Sequence, residues 1–177
     1  MAMTLLLGGA ASGKSRTAAA LAARTGLDVT VIATGEALDD EMAARIDRHR
    51  RERPDDWTVI EEPLDLVGAV ERAGGATIVD CLTLWASNQL GHDLADEEIL
   101  EAAAAAAKAC AARPEPTIVI SNEVGSGIVP MHPLARRYRD VLGRINATFA
   151  DGADVVALMV AGRAVRLSTM LTDLEEP

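Results

Sequence analysis

Aromatic residues are almost missing from this chain: one tyrosine, one phenylalanine and two tryptophans among 177 residues. Any core must therefore be aliphatic and alanine-rich. The chain is 49% hydrophobic and long enough to bury a full core, and its length fits one domain, residues 1–177. Positive charge is also scarce. The formal net charge is −10, which argues against nucleic acid as a general partner and against an anionic membrane surface. Any anionic ligand needs a local basic cluster. Only two cysteines occur, Cys81 and Cys110, without metal-ligand spacing. They read as buried thiols of a reducing compartment rather than a disulfide. No apolar run approaches membrane-spanning length, and no basic, signal-like segment precedes the first apolar run, so the expectation is a cytoplasmic location without membrane insertion.

Lysine is the scarcest charged residue, with Lys14 and Lys108 against fifteen arginines. One of the two stands in a phosphate-binding motif. Gly8-Gly9-Ala10-Ala11-Ser12-Gly13-Lys14-Ser15 fills G-x-x-x-x-G-K-[ST]. The apolar run Leu5–Leu7 before it reads as a buried parallel strand, and the alanine-rich residues 16–25 after it as a helix ended by Gly26. A strand, a glycine loop and a helix N-terminus form an anion site, because backbone N–H groups and the helix dipole converge there. Lys14 is expected to reach the β/γ-phosphates, and the Ser15 hydroxyl to ligate Mg²⁺. A compact ammonium suits the inside of such a cradle better than a guanidinium.

Further strands are expected at residues 28–34, 57–62, 76–80, 117–121 and 154–160, with a hairpin return at 162–167. Helices are expected at 39–53, 63–72, 82–90, 96–112 and 134–149, and a frayed acidic tail at 172–177. The alternation predicts an α/β fold with a mainly parallel sheet flanked by helices. Asp80 ends an apolar strand, where a Walker-B acid holds Mg²⁺; a carboxylate capping the next helix is the plainer alternative. The helix at 39–53 ends in Arg45-Ile-Asp-Arg-His49-Arg-Arg-Glu-Arg53. Helical spacing puts Arg45, His49 and Arg53 on one face. An imidazole among arginines combines a nucleophile with phosphate-binding groups, although a solvated basic helix end is the ordinary explanation of such a cluster. His92 and His132 read as surface residues. The glycine-rich stretch Asn122–Pro130 follows a strand, the usual ligand position in open α/β sheets, and reads equally as a lid or a structural turn.

The combination of segments resembles the bifunctional adenosylcobinamide kinase / adenosylcobinamide-phosphate guanylyltransferase family of cobalamin biosynthesis. The similar segments are residues 8–15, Ile32–Gly35, residues 38–46 with His49, Asn122–Pro130 and Leu134–Asn146, so the likeness spans nearly the whole chain. It implies a RecA-like P-loop NTPase fold in a homo-oligomer. It also implies two reactions: phosphorylation of adenosylcobinamide by ATP or GTP, then transfer of GMP from GTP through a guanylylated histidine, which falls on His49. The residue before it is Arg48, where some relatives carry a second histidine. By the same resemblance the nucleotide contacts fall on Gly8, Gly9, Ala10, Ala11, Ser12, Gly13, Lys14, Ser15, Ala33, Thr34, Gly35, Arg50, Arg51, Glu52, Arg53, Glu61 and Asp80, with Ser15 and Asp80 at Mg²⁺. The alternatives are a small-molecule kinase in which His49 is a bystander, or a nucleotide-dependent switch protein. The second is disfavoured because no N-K-x-D motif occurs.

Overall fold

The computed structural model describes residues 3–37, 39–51 and 53–168. Glu52 and the acidic tail lie outside these. Among the described residues seven strands form one sheet: β1 (Met3–Gly8), β2 (Val29–Ala33), β3 (Thr58–Glu61), β4 (Ala76–Asp80), β5 (Thr117–Ile120), β6 (Val155–Val160) and β7 (Arg163–Leu167). Their order is β3-β2-β4-β5-β1-β6-β7. All pairs are parallel except β6–β7, the antiparallel hairpin expected at the end of the chain.

Among the described residues six helices connect the strands: α1 (Lys14–Ala23), α2 (Asp40–Arg51), α3 (Leu66–Arg72), α4 (Leu82–Gly91), α5 (Asp96–Ala112) and α6 (Pro133–Gly152). The inner strands β1, β2, β4 and β5 are apolar on both faces because both are covered, whereas the edge strands β3 and β7 are largely exposed. Leu5, Ile32, Val79 and Val119 pack with Leu66, Leu82, Ile99 and Leu142 of α3 to α6. Their neighbours Leu6, Val31, Ile78 and Ile118 face Ala18 and Ala22 of α1. The alternation is the strand period of two. Alanine on the inner face of α1 lets that helix lie close to the sheet, so the loop before it sits directly on the strand ends.

Several helix boundaries differ from the sequence expectation, among them the start of α3 and the end of α2. The segment beginning at Pro63 does not turn helical until Leu66, because Asp65 caps α3 by accepting the Gly68 N–H at 2.9 Å, while Glu62 Oε1 accepts from Leu64 and Asp65 N–H. α2 stops at Arg51, so Arg53 lies beyond the helix and not on a shared helical face with His49.

The order has one consequence for the site. β5 lies between β1, which leads into the glycine loop, and β4, which ends in Asp80. Glu61, Gly35, Asp80, Asn122 and the glycine loop thus meet at the carboxyl edge of one sheet, where open α/β sheets bind ligands.

Candidate active site

The glycine loop leaves β1 at Gly8 (φ 149°) and enters α1 at Gly13 (φ 99°). Glycine is required at both. A Cβ on Gly8 would lie 2.4 Å from the Met159 carbonyl oxygen, and one on Gly13 would lie 3.2 Å from Gly162 Cα at a φ that side chains rarely adopt. Gly162, in the β6–β7 turn, donates its N–H to Ser12 O at 2.9 Å and holds the loop from outside. No side chain caps α1 at Gly13, so its first N–H groups face the loop as an anion site. Lys14 is buried, 7% exposed, and its ammonium spans the loop, donating to Gly8 O at 2.8 Å and Gly9 O at 2.7 Å.

A cavity of about 1110 Å³ opens over this loop. It is bordered by Ala10 to Ser15 of the loop, by Ala33 at the end of β2 and Gly35 just past it, by Glu61 and Asp80 at the ends of β3 and β4, and by Arg48, His49, Arg50 and Arg53 from the end of α2 and just past it. Two ion pairs fasten that basic segment to the sheet edge. Arg50 pairs with Glu61. The Arg53 guanidinium lies 3.0 Å from Asp80 Oδ2, with 16% and 20% of the two side chains exposed. The first pair is solvated and contributes little to stability; the second is better shielded. A smaller cavity of about 340 Å³ shares Ser15, Arg16, His49, Arg53 and Asp80 with the first and is otherwise lined by apolar groups including Trp57 and Pro54.

Not every residue named from the sequence borders this space. Arg51 is exposed and lies outside both cavities. Gly8 and Gly9 offer their carbonyls to Lys14 and border neither cavity. Thr34 is fully buried, and its hydroxyl ties β2 to the strand beside it, donating to Cys81 O at 2.7 Å and accepting from Cys81 N at 2.8 Å. Glu52 lies outside the described residues. Of the stretch 122–130, only Asn122 reaches the large cavity; Gly125 and Gly127 do not. Arg48 and Gly162 border it without having been assigned a role from sequence. Nothing local to either residue signals this, because the contacts depend on the α2 approach and on a hairpin closing about 150 residues after the loop. Cys81 borders the cavity and, like Tyr138, is half-buried. Burial raises the Cys81 thiol, with a smaller push from Asp80. Burial raises the Tyr138 phenol to about 12, helped by Cys81.

A glycine loop on a parallel strand, a buried lysine inside it, and a strand-end carboxylate one strand removed define a P-loop nucleotide-binding enzyme. The chain belongs to the cobinamide kinase / cobinamide phosphate guanyltransferase family, whose model matches residues 4–167. It is 44% identical over 162 residues to the bifunctional adenosylcobalamin biosynthesis protein CobP of Pseudomonas aeruginosa, covering 89% of this chain and 92% of that one. It is 39% identical to the bifunctional adenosylcobalamin biosynthesis protein CobU of Escherichia coli and 40% identical to that of Salmonella typhimurium. In both cases the alignment covers 93% of this chain and 99% of the relative.

Proposed function

We propose that this chain catalyses both family reactions in one cavity: phosphorylation of adenosylcobinamide by ATP or GTP, then guanylylation of the resulting phosphate through a GMP–His49 intermediate. The observation that carries this reading is that His49 and the glycine loop border the same cavity. A kinase needs the loop but has no use for a histidine nucleophile; a guanylyltransferase working through the enzyme needs both.

In the first reaction the loop N–H groups and Lys14 hold the triphosphate, and the substrate hydroxyl displaces the nucleoside diphosphate from the γ-phosphorus. In the second, a His49 ring nitrogen attacks the α-phosphorus of GTP and pyrophosphate leaves with the electrons of the broken P–O bond. The phosphate of the corrinoid then displaces the imidazole, giving adenosylcobinamide-GDP and free His49. Arg48, Arg50 and Arg53 supply guanidinium groups to the phosphates. The hydroxyl of Ser15 and the carboxylate of Asp80 are hard oxygen donors on one cavity wall and fit Mg²⁺, which holds few protein ligands and is completed by phosphate oxygens. When bound, Mg²⁺ supplies charge neutralisation at the phosphates. Asp80 already carries a cationic partner in Arg53.

The test is mass spectrometry after incubation with GTP. Wild type should gain one GMP, on a peptide containing residue 49, labile to acid and stable to base. The His49→Ala variant should gain none and lose guanylyl transfer. An adduct on the variant refutes the assignment. The reading also includes a cytoplasmic homo-oligomer that does not bind nucleic acid. Ile128 and Met131, 97% and 95% exposed between β5 and α6, suit burial against a second copy. Light scattering on the purified protein tests that association. Among the described residues no helix is long and apolar enough to cross a membrane.

A further inference from the structure

We infer that Asn122 is a catalytic residue of the phosphoryl-transfer step, its side-chain amide contacting the transferring phosphoryl group. The inference rests on the kinase reading above and adds a residue to it. Asn122 follows β5, the strand between the glycine loop and Asp80, and it borders the large cavity. Its backbone is fixed to an unusual degree for a residue outside a strand. The Asn122 N–H donates to Thr83 Oγ1 at 2.8 Å. Its carbonyl accepts from the amide of Asn146, a side chain only 6% exposed, at 3.0 Å. The flanking N–H groups continue the pairing with β1, Ser121 to Leu6 O at 3.0 Å and Glu123 to Gly8 O at 3.3 Å. Gly8 O is the same carbonyl that accepts from Lys14. Four bonds thus hold this one peptide segment in register with the phosphate loop. Two buried polar side chains from α4 and α6 are used for that purpose.

The Asn122 side chain, in contrast, takes part in none of the hydrogen bonds among the described residues. A backbone pinned on every side, with an uncommitted amide bordering a cavity between a phosphate-binding lysine and a metal-binding carboxylate, is a preorganised donor and acceptor. A neutral amide suits the place. A carboxylate would repel phosphate, and a further cation would duplicate Lys14. In the transfer the acceptor hydroxyl oxygen forms a bond to the γ-phosphorus. The bond from that phosphorus to the β,γ-bridging oxygen breaks, the nucleoside diphosphate leaves with the electron pair, and the hydroxyl proton passes to solvent. The Asn122 Nδ2–H donates to a γ-phosphoryl oxygen through this change, and Oδ1 accepts from the incoming hydroxyl.

The test uses steady-state kinase kinetics with ATP and adenosylcobinamide for wild type, Asn122→Ala and Asn122→Asp, with melting curves of all three. The backbone bonds persist in both variants. The expected result is a kcat lowered about tenfold or more in Asn122→Ala, with the KM for ATP changed far less. Asn122→Asp should be as slow or slower, since it keeps the shape but places a negative charge against phosphate. Unchanged kcat in Asn122→Ala overturns the inference. So does an Asp variant that retains more activity than Ala, because a merely structural role favours the near-isosteric residue. A wild type that does not phosphorylate adenosylcobinamide instead refutes the kinase reading itself.

Discussion

Lys14 is the residue whose loss is easiest to read. Its ammonium sits inside the loop, bonded to two loop carbonyls, and no other lysine of the chain lies nearer in sequence than Lys108. Lys14→Ala should abolish phosphorylation of adenosylcobinamide, measured by product formation from labelled ATP, since nothing else delivers a point charge there. Asp80→Asn keeps the shape and removes the charge. It should slow turnover tenfold or more, about 1.4 kcal/mol per decade, and raise the Mg²⁺ concentration needed for half-maximal rate. An unchanged magnesium titration would make Asp80 a structural partner of Arg53 only. The glycine loop was legible from letters alone because its signature is local: eight consecutive residues carry it. Thr34 was not legible, because its hydroxyl is committed to Cys81, 47 residues away. Arg48 and Arg51 look alike in sequence, and only the approach of α2 to the sheet puts one at the cavity and the other in solvent.

Among the elements, α3 depends on a side chain from far along the chain. Arg113 donates to Val70 O, Ala73 O and Gly75 O at 2.7–2.9 Å, closing the C-terminal end of α3 and the turn into β4. Arg113→Ala leaves these carbonyls without the guanidinium and should cost about 2–4 kcal/mol. For a domain of this length that is a fall in melting temperature of about 5–10 °C. Calorimetry on the two proteins decides it; a shift below 2 °C would mean water replaces the arginine at no cost. The parallel strands were legible because apolar runs bounded by turns admit few other readings, and β4 and α5 fall where composition puts them. The ends of α2 and α3 were not. Asp65 outcompeted Pro63 as a helix start through a cap, and α2 ends two residues before Arg53 although the charged pattern runs on.

For the molecule as a whole, a core poor in aromatics carries its titratable burden in sulfur and one phenol. Burial raises the Cys110 thiol to about 12 from a usual 9, and the Tyr138 phenol also to about 12 from 10. Between pH 9 and 12 the unfolded chain loses the Cys110 proton while the folded chain keeps it. The unfolded state then binds fewer protons, and stability falls as pH rises. Tyr138 adds to the same slope above pH 10. The stabilising contribution is therefore complete below pH 9 and is lost across this window, on the order of 1 kcal/mol per pH unit per group. Denaturant midpoints at pH 8, 9.5 and 10.5 should decline in that order, and Cys110→Ala should flatten the first part of the decline. A midpoint flat to pH 10.5 would show that the thiol is not shielded. The family and the mainly parallel α/β sheet behind a phosphate loop were both legible in the sequence, because several motifs combine along one chain. The meeting of distant residues at the sheet edge was not, since strand order is a property of the whole chain.

That strand order also governs how the protein is made. β1 is synthesised first, yet its two neighbours are β5 and β6: Met3 pairs with Thr117, and Leu6 with Ile120 and Ala157. The phosphate loop is made before its sheet neighbours and has no sheet to stand on until more than a hundred further residues have followed. At about 5–20 residues per second that interval lasts several seconds, during which Leu5, Leu6 and Leu7 are an unpaired apolar edge. Nucleotide cannot assist the early stages of folding, because its site is among the last parts to exist. A chain stopped before β5 holds every residue of the phosphate-binding motif and lacks the place where the motif acquires its shape.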